Sequence, residues 1–431
     1  MRKLGIPEHW GKATAPLPQR RCWPRANREM SGRKTDVAIV GGGLAGGLIA
    51  LAILREHPHL GLQLVEAGEK LGGHHRWSWF ESDLSQAGQD LLAPFAKTQW
   101  DQGYEVAFPE YRRSMQAGYR SMASADFDAT LRELLPANCL RLATKVSEMD
   151  ADGITLENGE RIAARTVIDC RNIPPSPHLL GGWQIFTGRH FKYDRPHGIT
   201  QPMIMDASVT QHASSGNRSA YRFMYVLPLT EDELFFEDTY YDETRALDEE
   251  LLSRRIDQYA HDMGFGDGTE IDRERGILPV ITGGNFSAYR SSIEVPGVAM
   301  AGARGGFSHP LTSYTIPIAV ENALAIADNA HLPSAKLAEF VRKRAYAHWK
   351  RTGIYRALGR MLFRATEPER RVDIFQKFYQ LPENLIERFY ACHTTFPDQV
   401  RILSGKPPVS IPRAIRALAS KGHPLIMEKT E

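Results

Sequence analysis

The stretch DVAIVGGGLAGGLIALAILRE, residues 36–56, begins with β-branched apolar residues, turns through glycines and continues with helix formers. Gly41 permits a tight turn, Gly43 lets backbone approach a pyrophosphate, and Gly46 lets the helix pack close to the strand. The N-terminus of that helix then faces the phosphates. The pattern therefore predicts the strand, turn and helix of a Rossmann-type nucleotide-binding unit.

A second apolar strand, LQLVE, ends in Glu66, twenty residues after Gly46. A carboxylate at this position can accept hydrogen bonds from both hydroxyls of an adenosine ribose. An ordinary glycine turn would leave Glu66 without an explanation. We therefore predict dinucleotide binding, and the choice between FAD and NAD depends on the rest of the chain.

The composition excludes several classes of protein. A chain of 431 residues with 42% hydrophobic content can fill a core, and 53 basic against 51 acidic residues give no global field that favours nucleic acid. No run approaches the ~20 apolar residues that cross a bilayer. The cysteines are too scattered for a zinc site or a disulfide framework, so we expect no structural metal and a reducing, cytoplasmic compartment. They are Cys22, Cys139, Cys170 and Cys392.

The segment that precedes the glycine-rich stretch carries Arg20, Arg21, Arg25 and Arg28 among prolines, without the apolar core of a secretory signal. MSGRKTDVAIV, which begins at Met30, has the character of a natural start. We expect residues 1–34 to be a flexible N-terminal extension. A basic transit peptide is the alternative.

Two further blocks carry a resemblance to the flavoprotein group of p-hydroxybenzoate hydroxylase. AGEKLGGHHRW follows Glu66, and in that group a glycine pair and an arginine follow the ribose acid, which implies that Arg76 lies along FAD. ATKVSEMDADGITLENGERIAARTVIDCRN predicts short strands joined by DG and NG turns. The group has such a segment, in which a residue at the position of Val146 touches adenine.

The last block, VPGVAMAGARGGFSHPLTSYTIPIAVENALAIAD, predicts a strand that ends in glycines and a long helix after it. The resemblance places the helix N-terminus at the flavin. The usual Gly-Asp is here Gly302-Ala303, and we expect Arg304 to compensate for the altered ribityl contact. An NAD dehydrogenase would need only the nucleotide-binding unit at the start of the chain. The blocks that follow it therefore favour FAD.

These blocks predict a mixed α/β fold. We expect a Rossmann-type FAD-binding domain formed by residues 35–184 and 291–335, with an inserted β-rich substrate domain over residues 185–290. Residues 336–431 are expected to form a helical C-terminal region that contacts the membrane.

The inserted stretch contains YRFMYVLPLTEDELFFEDTYY, residues 221–241, which predicts a hairpin around the polar turn TEDE. Successive strand side chains point to opposite faces, so Glu237 shares one face with Phe235, Thr239 and Tyr241, and Asp238 lies on the other. A carboxyl group in an apolar pocket has a raised pKa and can donate a proton at neutral pH. The alternative is a hydrogen-bonded pair at a strand end, and residue types alone leave this open.

The FFEDT motif at residues 235–239 resembles the corresponding motif of the bacterial, flavin-dependent lycopene cyclases. The resemblance covers residues 35 to 420 and extends to VAIVGGGLAGG, PHG, QPMIMDA, FSHPLTSYTIP, LPENLIERFY and VRILSGKPPV. It implies Glu237 as the acid/base, with Asp238 as the second candidate. It also implies redox-neutral cyclisation of the ψ-ends of lycopene to β-rings, reduced FAD as the active cofactor and NAD(P)H as the source of electrons.

Two other polar residues in the matching motifs, Asp206 and His309, are weaker candidates. Asp206 is either a second polar group in the pocket or a strand-end cap. His309 precedes Pro310 at the start of the last FAD helix, where a turn or capping role is the simpler interpretation.

The segment FVRKRAYAHWKRTGIYRALGRMLFRA, residues 340–365, contains eight basic residues, interleaved aromatic residues and no acid. This composition favours a helix on an anionic membrane surface, where a long hydrocarbon substrate would reside. A solvated helix packed on the flavin domain is the alternative. Nucleic acid is disfavoured because the charge is confined to one segment.

Two other functions share the same FAD frame. One is a monooxygenase or reductase that acts on another isoprenoid with net redox chemistry, and the acid in the aromatic strand argues against it. The other is a flavin-containing lipid-binding protein without turnover.

Overall fold

The computed structural model describes residues 35–216, 218–404 and 409–426. The predicted extension over residues 1–34 lies outside the described residues. Within these ranges the strands are β1 Thr35–Val40, β2 Leu62–Val65, β3 Arg76–Phe80, β4 Thr98–Trp100, β5 Tyr104–Phe108, β6 Tyr111–Met115, β7 Tyr119–Ala123, β8 Leu140–Arg141, β9 Val146–Asp150, β10 Gly153–Leu156, β11 Arg161–Asp169, β12 Ser176–Lys192, β13 Met203–Asp206, β14 Tyr221–Pro228, β15 Glu233–Asp242, β16 Thr269–Gly284, β17 Ala299–Met300 and β18 His423–Leu425.

The α-helices of the same ranges alternate with these strands in the first part of the chain and follow one another in the last. They are α1 Leu44–Glu56, α2 Gln86–Leu92, α3 Ser124–Leu134, α4 Glu249–Asp262, α5 Phe286–Ile293, α6 Ile316–Asp328, α7 Ser334–Arg351, α8 Gly353–Arg364, α9 Arg371–Phe378, α10 Glu383–Tyr390, α11 Phe396–Leu403 and α12 Ile411–Ala419.

The first sheet contains the predicted nucleotide-binding unit. Its order is β8-β2-β1-β11-β10-β9, and β1 pairs in parallel with both β2 and β11. α1 follows β1 and packs beside α6, the predicted long helix. The predicted strand, turn and helix are confirmed, and so are the short antiparallel strands β9 to β11.

The close approach of α1 to β1 depends on one glycine. A Cβ atom on Gly46 would lie 1.9 Å from the carbonyl oxygen of Gly41, far inside the contact distance. Gly41 has a φ of 100°, a conformation that glycine adopts without strain. A Cβ on Gly43, in contrast, would meet nothing within 4 Å. The turn therefore requires two of its glycines for packing and leaves the third facing open space.

The second sheet has the order β16-β12-β15-β14-β13-β5-β6, with β18 also paired to β12. The predicted hairpin is confirmed as the antiparallel pair β14 and β15. β5 and β6 come from residues 104–115, inside the range predicted for the FAD-binding part, and β5 pairs in parallel with β13. The second sheet thus contains strands from both predicted domains, and the predicted domain limits stay a proposal.

A third, smaller sheet of order β3-β7-β4 carries Arg76 at the start of β3. One continuous apolar core joins the layers, since buried residues of α1, β3, β14 and α6 belong to the same cluster. Sheets and helices are therefore packed around a common interior, and the site lies within it.

The predicted basic segment forms two helices, α7 and α8, and much of it is used in packing. Arg344 donates to Asn322 Oδ1 at 3.0 Å, and Arg360 donates to the carbonyl oxygen of Thr282 at 3.0 Å. Tyr355 and Phe363 are buried in the core. These contacts favour the alternative of a helix packed on the rest of the protein for part of the segment.

Large apolar side chains are exposed instead on α11 and α12. On each helix they recur at positions i, i+4 and i+7 and so lie on one face. Phe396 is 77% exposed and Ile411 is 67% exposed, and the set is Phe396, Val400, Leu403, Ile411, Ile415 and Leu418. In the ranges that the structure describes, no helix combines the length and the apolarity that crossing a membrane requires.

Candidate active site

A cavity of about 720 Å³ runs between the first and second sheets. Its lining joins the predicted nucleotide-binding residues to one face of the β15 strand. The predicted residues that line it are Gly41, Gly43, Glu66, Arg76, Val146, Gly302 and Glu237. Gly46 lies behind the wall, where it allows α1 to approach β1.

The nucleotide end of the cavity has the features of an anion site. Neither α1 nor α6 has a side-chain cap at its N-terminus, where Gly43 and Thr315 stand, and both termini border the cavity. The first N–H groups of a helix lack intrahelical partners and attract phosphate. Glu66 Oε2 accepts a hydrogen bond from Gly42 N at 2.6 Å, which fixes this carboxylate beside the turn. The residues present therefore fit a dinucleotide.

Arg304 does not line the cavity. Its Nε lies 2.9 Å from Asp169 Oδ2, and its Nη1 donates to the carbonyl oxygen of Asn172 at 3.0 Å. The expectation that Arg304 replaces a ribityl contact does not fit this orientation, because the buried Asp169 carboxylate holds the guanidinium. Gly302 does reach the cavity, with a φ of 63°.

The opposite end of the cavity holds Glu237. Thr239 Oγ1 donates a hydrogen bond to Glu237 Oε1 at 2.5 Å. Burial raises the pKa of Glu237 to about 7, although the Thr239 hydrogen bond and the charge of Arg76 oppose the shift. Near neutral pH this carboxyl group can therefore hold a proton and also release it.

Aromatic rings surround this acid. Phe235 and Tyr241 lie on its own face of β15, as the alternation predicts, and Tyr225 stands opposite Glu237 on β14. Other rings of the same cavity are Trp77, Phe80, Tyr119, Phe186, Phe223, Phe307, Tyr314 and Tyr390. Aromatic faces attract a cation within about 6 Å by ~0.5–2 kcal/mol each. The end of the cavity suits an apolar molecule that becomes positively charged.

Asp238 lies on the other face of β15, away from the cavity. Arg222 Nε donates to its Oδ1 at 2.7 Å and Arg222 Nη2 to its Oδ2 at 3.1 Å. Tyr240 Oη donates to Oδ2 at 2.5 Å. The structure therefore does not bring Asp238 together with Glu237 in the cavity, and this carboxylate is engaged in a buried ion pair.

The two weaker candidates, Asp206 and His309, have structural roles. Asp206 ends β13, where its Oδ1 accepts from Ser208 N at 3.0 Å and its Oδ2 accepts from Tyr259 Oη at 2.8 Å. His309 is fully buried, and its Nδ1 accepts from Leu311 N at 3.2 Å. These are the strand-end cap and the turn that the simpler interpretations predicted.

Sequence reasoning missed Glu274 on β16. Its carboxyl group is hydrogen bonded to that of Glu237, and the residue is only 8% exposed. Burial and the neighbouring Glu237 charge raise the pKa of Glu274 well above its usual range. The alternation of DRERG marks Glu274 as an acid in a strand, but its partner follows only from the pairing of distant strands.

The family comparison and the curated relatives agree with each other. A family model described as lycopene cyclase protein matches residues 36–416. A lycopene beta-cyclase of Pseudescherichia vulneris is 42% identical over 382 residues, which cover 89% of this chain and 96% of that protein. Another of Paracoccus sp. is 38% identical over 396 residues, or 91% of this chain and 99% of that protein.

Solved structures resemble the chain in fold. A geranylgeranyl bacteriochlorophyll reductase-like protein of Thermoplasma acidophilum has a TM-score of 0.51 at 14% identity, covering 90% of this chain and 99% of that one. HpxO of Klebsiella pneumoniae, solved as a variant complexed with FAD, has a TM-score of 0.50 at 14% identity and covers 86% and 99%. These likenesses confirm the predicted mixed α/β, Rossmann-type fold class.

Proposed function

This chain belongs to the lycopene cyclase family, and from that premise we propose that it is a lycopene beta-cyclase of carotenoid biosynthesis. It converts the ψ-ends of lycopene to β-rings, by way of gamma-carotene to beta-carotene, in a flavin-dependent reaction without net redox change. The observation that carries the proposal is that one cavity contains both the nucleotide-binding residues and a buried acid among aromatic rings.

FAD is the dinucleotide that we propose for this cavity. The turn at Gly41 and Gly43 and the α1 N-terminus would hold the pyrophosphate, and Glu66 would hold the adenosine ribose. The N-terminus of α6 would face the flavin, and Val146 would contact adenine. Bound reduced FAD supplies negative charge that stabilises a cation, and NAD(P)H is the proposed source of its electrons.

Glu237 carries the acid chemistry in this proposal. Its neutral carboxyl group gives a proton to the terminal trisubstituted alkene, and the resulting tertiary cation is captured by the neighbouring double bond. Loss of a proton then leaves a six-membered ring. The high pKa of Glu237 matters because only the neutral acid is a donor, and the dry, aromatic surroundings matter because water would trap the cation.

The aromatic wall supports this role. Phe235, Tyr225 and Tyr241 line the cavity with Glu237, so rings face the position where the cation forms. Their quadrupoles stabilise positive charge without supplying a nucleophile. Lycopene is a hydrocarbon, and its end group suits an apolar cavity of this kind.

We also propose a peripheral membrane contact through the C-terminal region, because the substrate is dissolved in the bilayer. The apolar faces of α11 and α12 are the better candidates than the basic segment of residues 340–365, whose aromatic residues are partly buried. α12 carries Arg413 and Arg416 and no acid, and at about 100° per residue both arginines lie on the side of the helix opposite its apolar face. An amphipathic helix with one apolar face and one basic face fits the surface of a membrane with anionic lipid.

An anaerobic assay tests the proposed function. Enzyme reduced once with dithionite should convert many lycopene molecules without further reductant, whereas oxidised enzyme should not. In deuterated water each new ring should gain one deuteron at the protonated carbon, and none should come from a nicotinamide deuterated at C4. Product that tracks NAD(P)H one for one would instead indicate a reductase or an oxygenase, and flavin binding without any product would indicate a lipid-binding protein.

A further inference from the structure

Glu274 stands beside Glu237 because of the strand pairing. Gly188 on β12 is the cross-strand partner of Glu237 on β15 and also of Glu274 on β16. The two acids therefore flank one glycine in a row across three strands, on the same face of the sheet. With strands ~4.8 Å apart, their Cα atoms are separated by about 10 Å, a span that two glutamate side chains can close.

The glycine in the middle of this row makes the meeting possible. A Cβ on Gly188 would lie 2.3 Å from the Phe235 ring and 2.9 Å from Glu274 Cγ. The space above the glycine is therefore filled by its neighbours, and any side chain at position 188 would push them apart. The strand pairing and the absence of a side chain at Gly188 together bring the two acids into contact.

The charges around the pair are few. Arg76 approaches from β3 and favours ionisation of both acids. His190 lies on β12 and Asp272 on β16, one row away, and Asp238 is adjacent on β15 but on the opposite face. Ionising both of two contacting carboxyl groups in a buried site is unfavourable. The pair therefore retains one proton, which either carboxyl group can hold.

A second pocket, of about 230 Å³, lies on the far side of Glu274. Glu274 lines this pocket and Glu237 does not, whereas Arg76 and Phe235 border both spaces. The mouth of the second pocket carries exposed side chains, since Asp272 is 57% exposed in its side chain and His74 is 65% exposed. Glu274 thus lies between the buried donor and a pocket that reaches the surface.

We propose that Glu274 acts through Glu237, as a relay that passes protons between Glu237 and the second pocket. This inference rests on the proposed cyclisation. Glu237 gives the proton that the pair holds to the alkene. Glu274 then takes a proton from water in the second pocket and passes it to Glu237, which restores the pair. The proton lost at ring closure returns to solvent, so one proton enters and one leaves per ring and no electron is transferred.

A solvent-jump experiment on the Glu274→Gln holoenzyme tests this route. Reduced enzyme equilibrated in ordinary water is mixed with excess deuterated water and lycopene, and the deuterium in the first rings is measured by mass spectrometry. Wild-type rings should carry deuterium at once. The variant should deliver stored protium first, with isotope exchange at least about tenfold slower. Glu274→Asp should restore part of the exchange, and Glu250→Gln, an exposed change on α4, is the matched control.

Exchange in Glu274→Gln as fast as in wild type would overturn the proposal. An infrared measurement keeps the test independent of turnover and of the variant's activity. The oxidised wild-type holoprotein should show a buried protonated-carboxyl band that moves in deuterated water, and Glu274→Gln should remove it or slow its movement. An unchanged band contradicts the shared proton. Absence of cyclisation by wild-type enzyme would instead reject the proposed function and leave the infrared result to decide on the pair.

Discussion

Glu237 and Asp238 are neighbours in sequence with different surroundings. Glu237 faces a cavity lined by aromatic rings, where burial raises its pKa to about 7. Asp238 faces Arg222 and Tyr240 in the core. Burial raises the pKa of Asp238 as well, but there the bidentate Arg222 guanidinium and the Tyr240 hydroxyl group oppose the shift and stabilise the carboxylate. Adjacent residues of one strand thus have different roles, since Glu237 can donate a proton and Asp238 forms an ion pair.

These surroundings predict opposite effects for two amide substitutions. Glu237→Gln should retain fold and flavin and lose cyclisation by ~10²-fold or more, because the amide cannot donate the proton. Asp238→Asn should lower the free energy of unfolding by about 3 kcal/mol or more, because it leaves Arg222 buried without its partner charge. Denaturant unfolding and turnover of both variants provide the check. An inactive but fully stable Asp238→Asn variant, beside an active Glu237→Gln variant, would reverse the assignment.

The pH dependence follows from the same acid. Its pKa is raised, so the neutral donor predominates below about pH 7 and is lost as the pH rises through that value. We expect kcat/KM to fall above pH 7, approaching tenfold per pH unit at the alkaline end. The profile should be measured with reduced enzyme in which flavin occupancy stays constant. A rate that increases with pH through this range would mean that a base, and not this acid, limits the reaction.

At the scale of elements, the turn between β1 and α1 separates packing from binding. Gly46→Ala would place a methyl group 1.9 Å from Gly41 O, so α1 must move away from β1 and the protein should lose stability together with FAD. Gly43→Ala meets nothing within 4 Å. It should fold normally and weaken FAD binding alone, since its methyl group enters the space for the pyrophosphate. Thermal unfolding without flavin and flavin titration distinguish the two outcomes.

The exposed apolar faces of α11 and α12 indicate where we expect the membrane contact. Replacing Ile411, Ile415 and Leu418 by Ser should reduce binding to anionic liposomes at least tenfold, because each side chain contributes up to ~1.5 kcal/mol when buried. The matched comparison is Arg342, Lys343 and Lys350 changed to Gln in the basic helix α7. Liposome sedimentation with flavin absorbance as the folding control gives both values. A larger loss in the α7 variant would return the contact to the basic segment.

At the scale of the whole molecule, the cavity joins segments that are far apart in the chain. Local patterns were sufficient to predict the β1 to α1 unit, the hairpin and the face of Glu237, because strand alternation is a property of neighbouring residues. Glu274 was missed because its partner depends on how β16 and β15 pair with β12. The orientation of Arg304 toward Asp169 depends likewise on a contact across more than a hundred residues. Periodicity identifies faces, whereas register and long-range ion pairs decide what those faces meet.

The alternation of β15 has a consequence for how this strand tolerates change. Side chains of one parity, Phe235, Glu237 and Tyr241, line the cavity, and those of the other parity, Leu234 and Phe236 among them, lie in an apolar core cluster with α4. A saturation library over residues 234–241, sorted once for pigment colour and once for soluble yield, should yield two interleaved sets of sensitive positions. Selection for new product spectra can therefore be confined to every second codon of the strand, while the codons between them are kept to protect the yield.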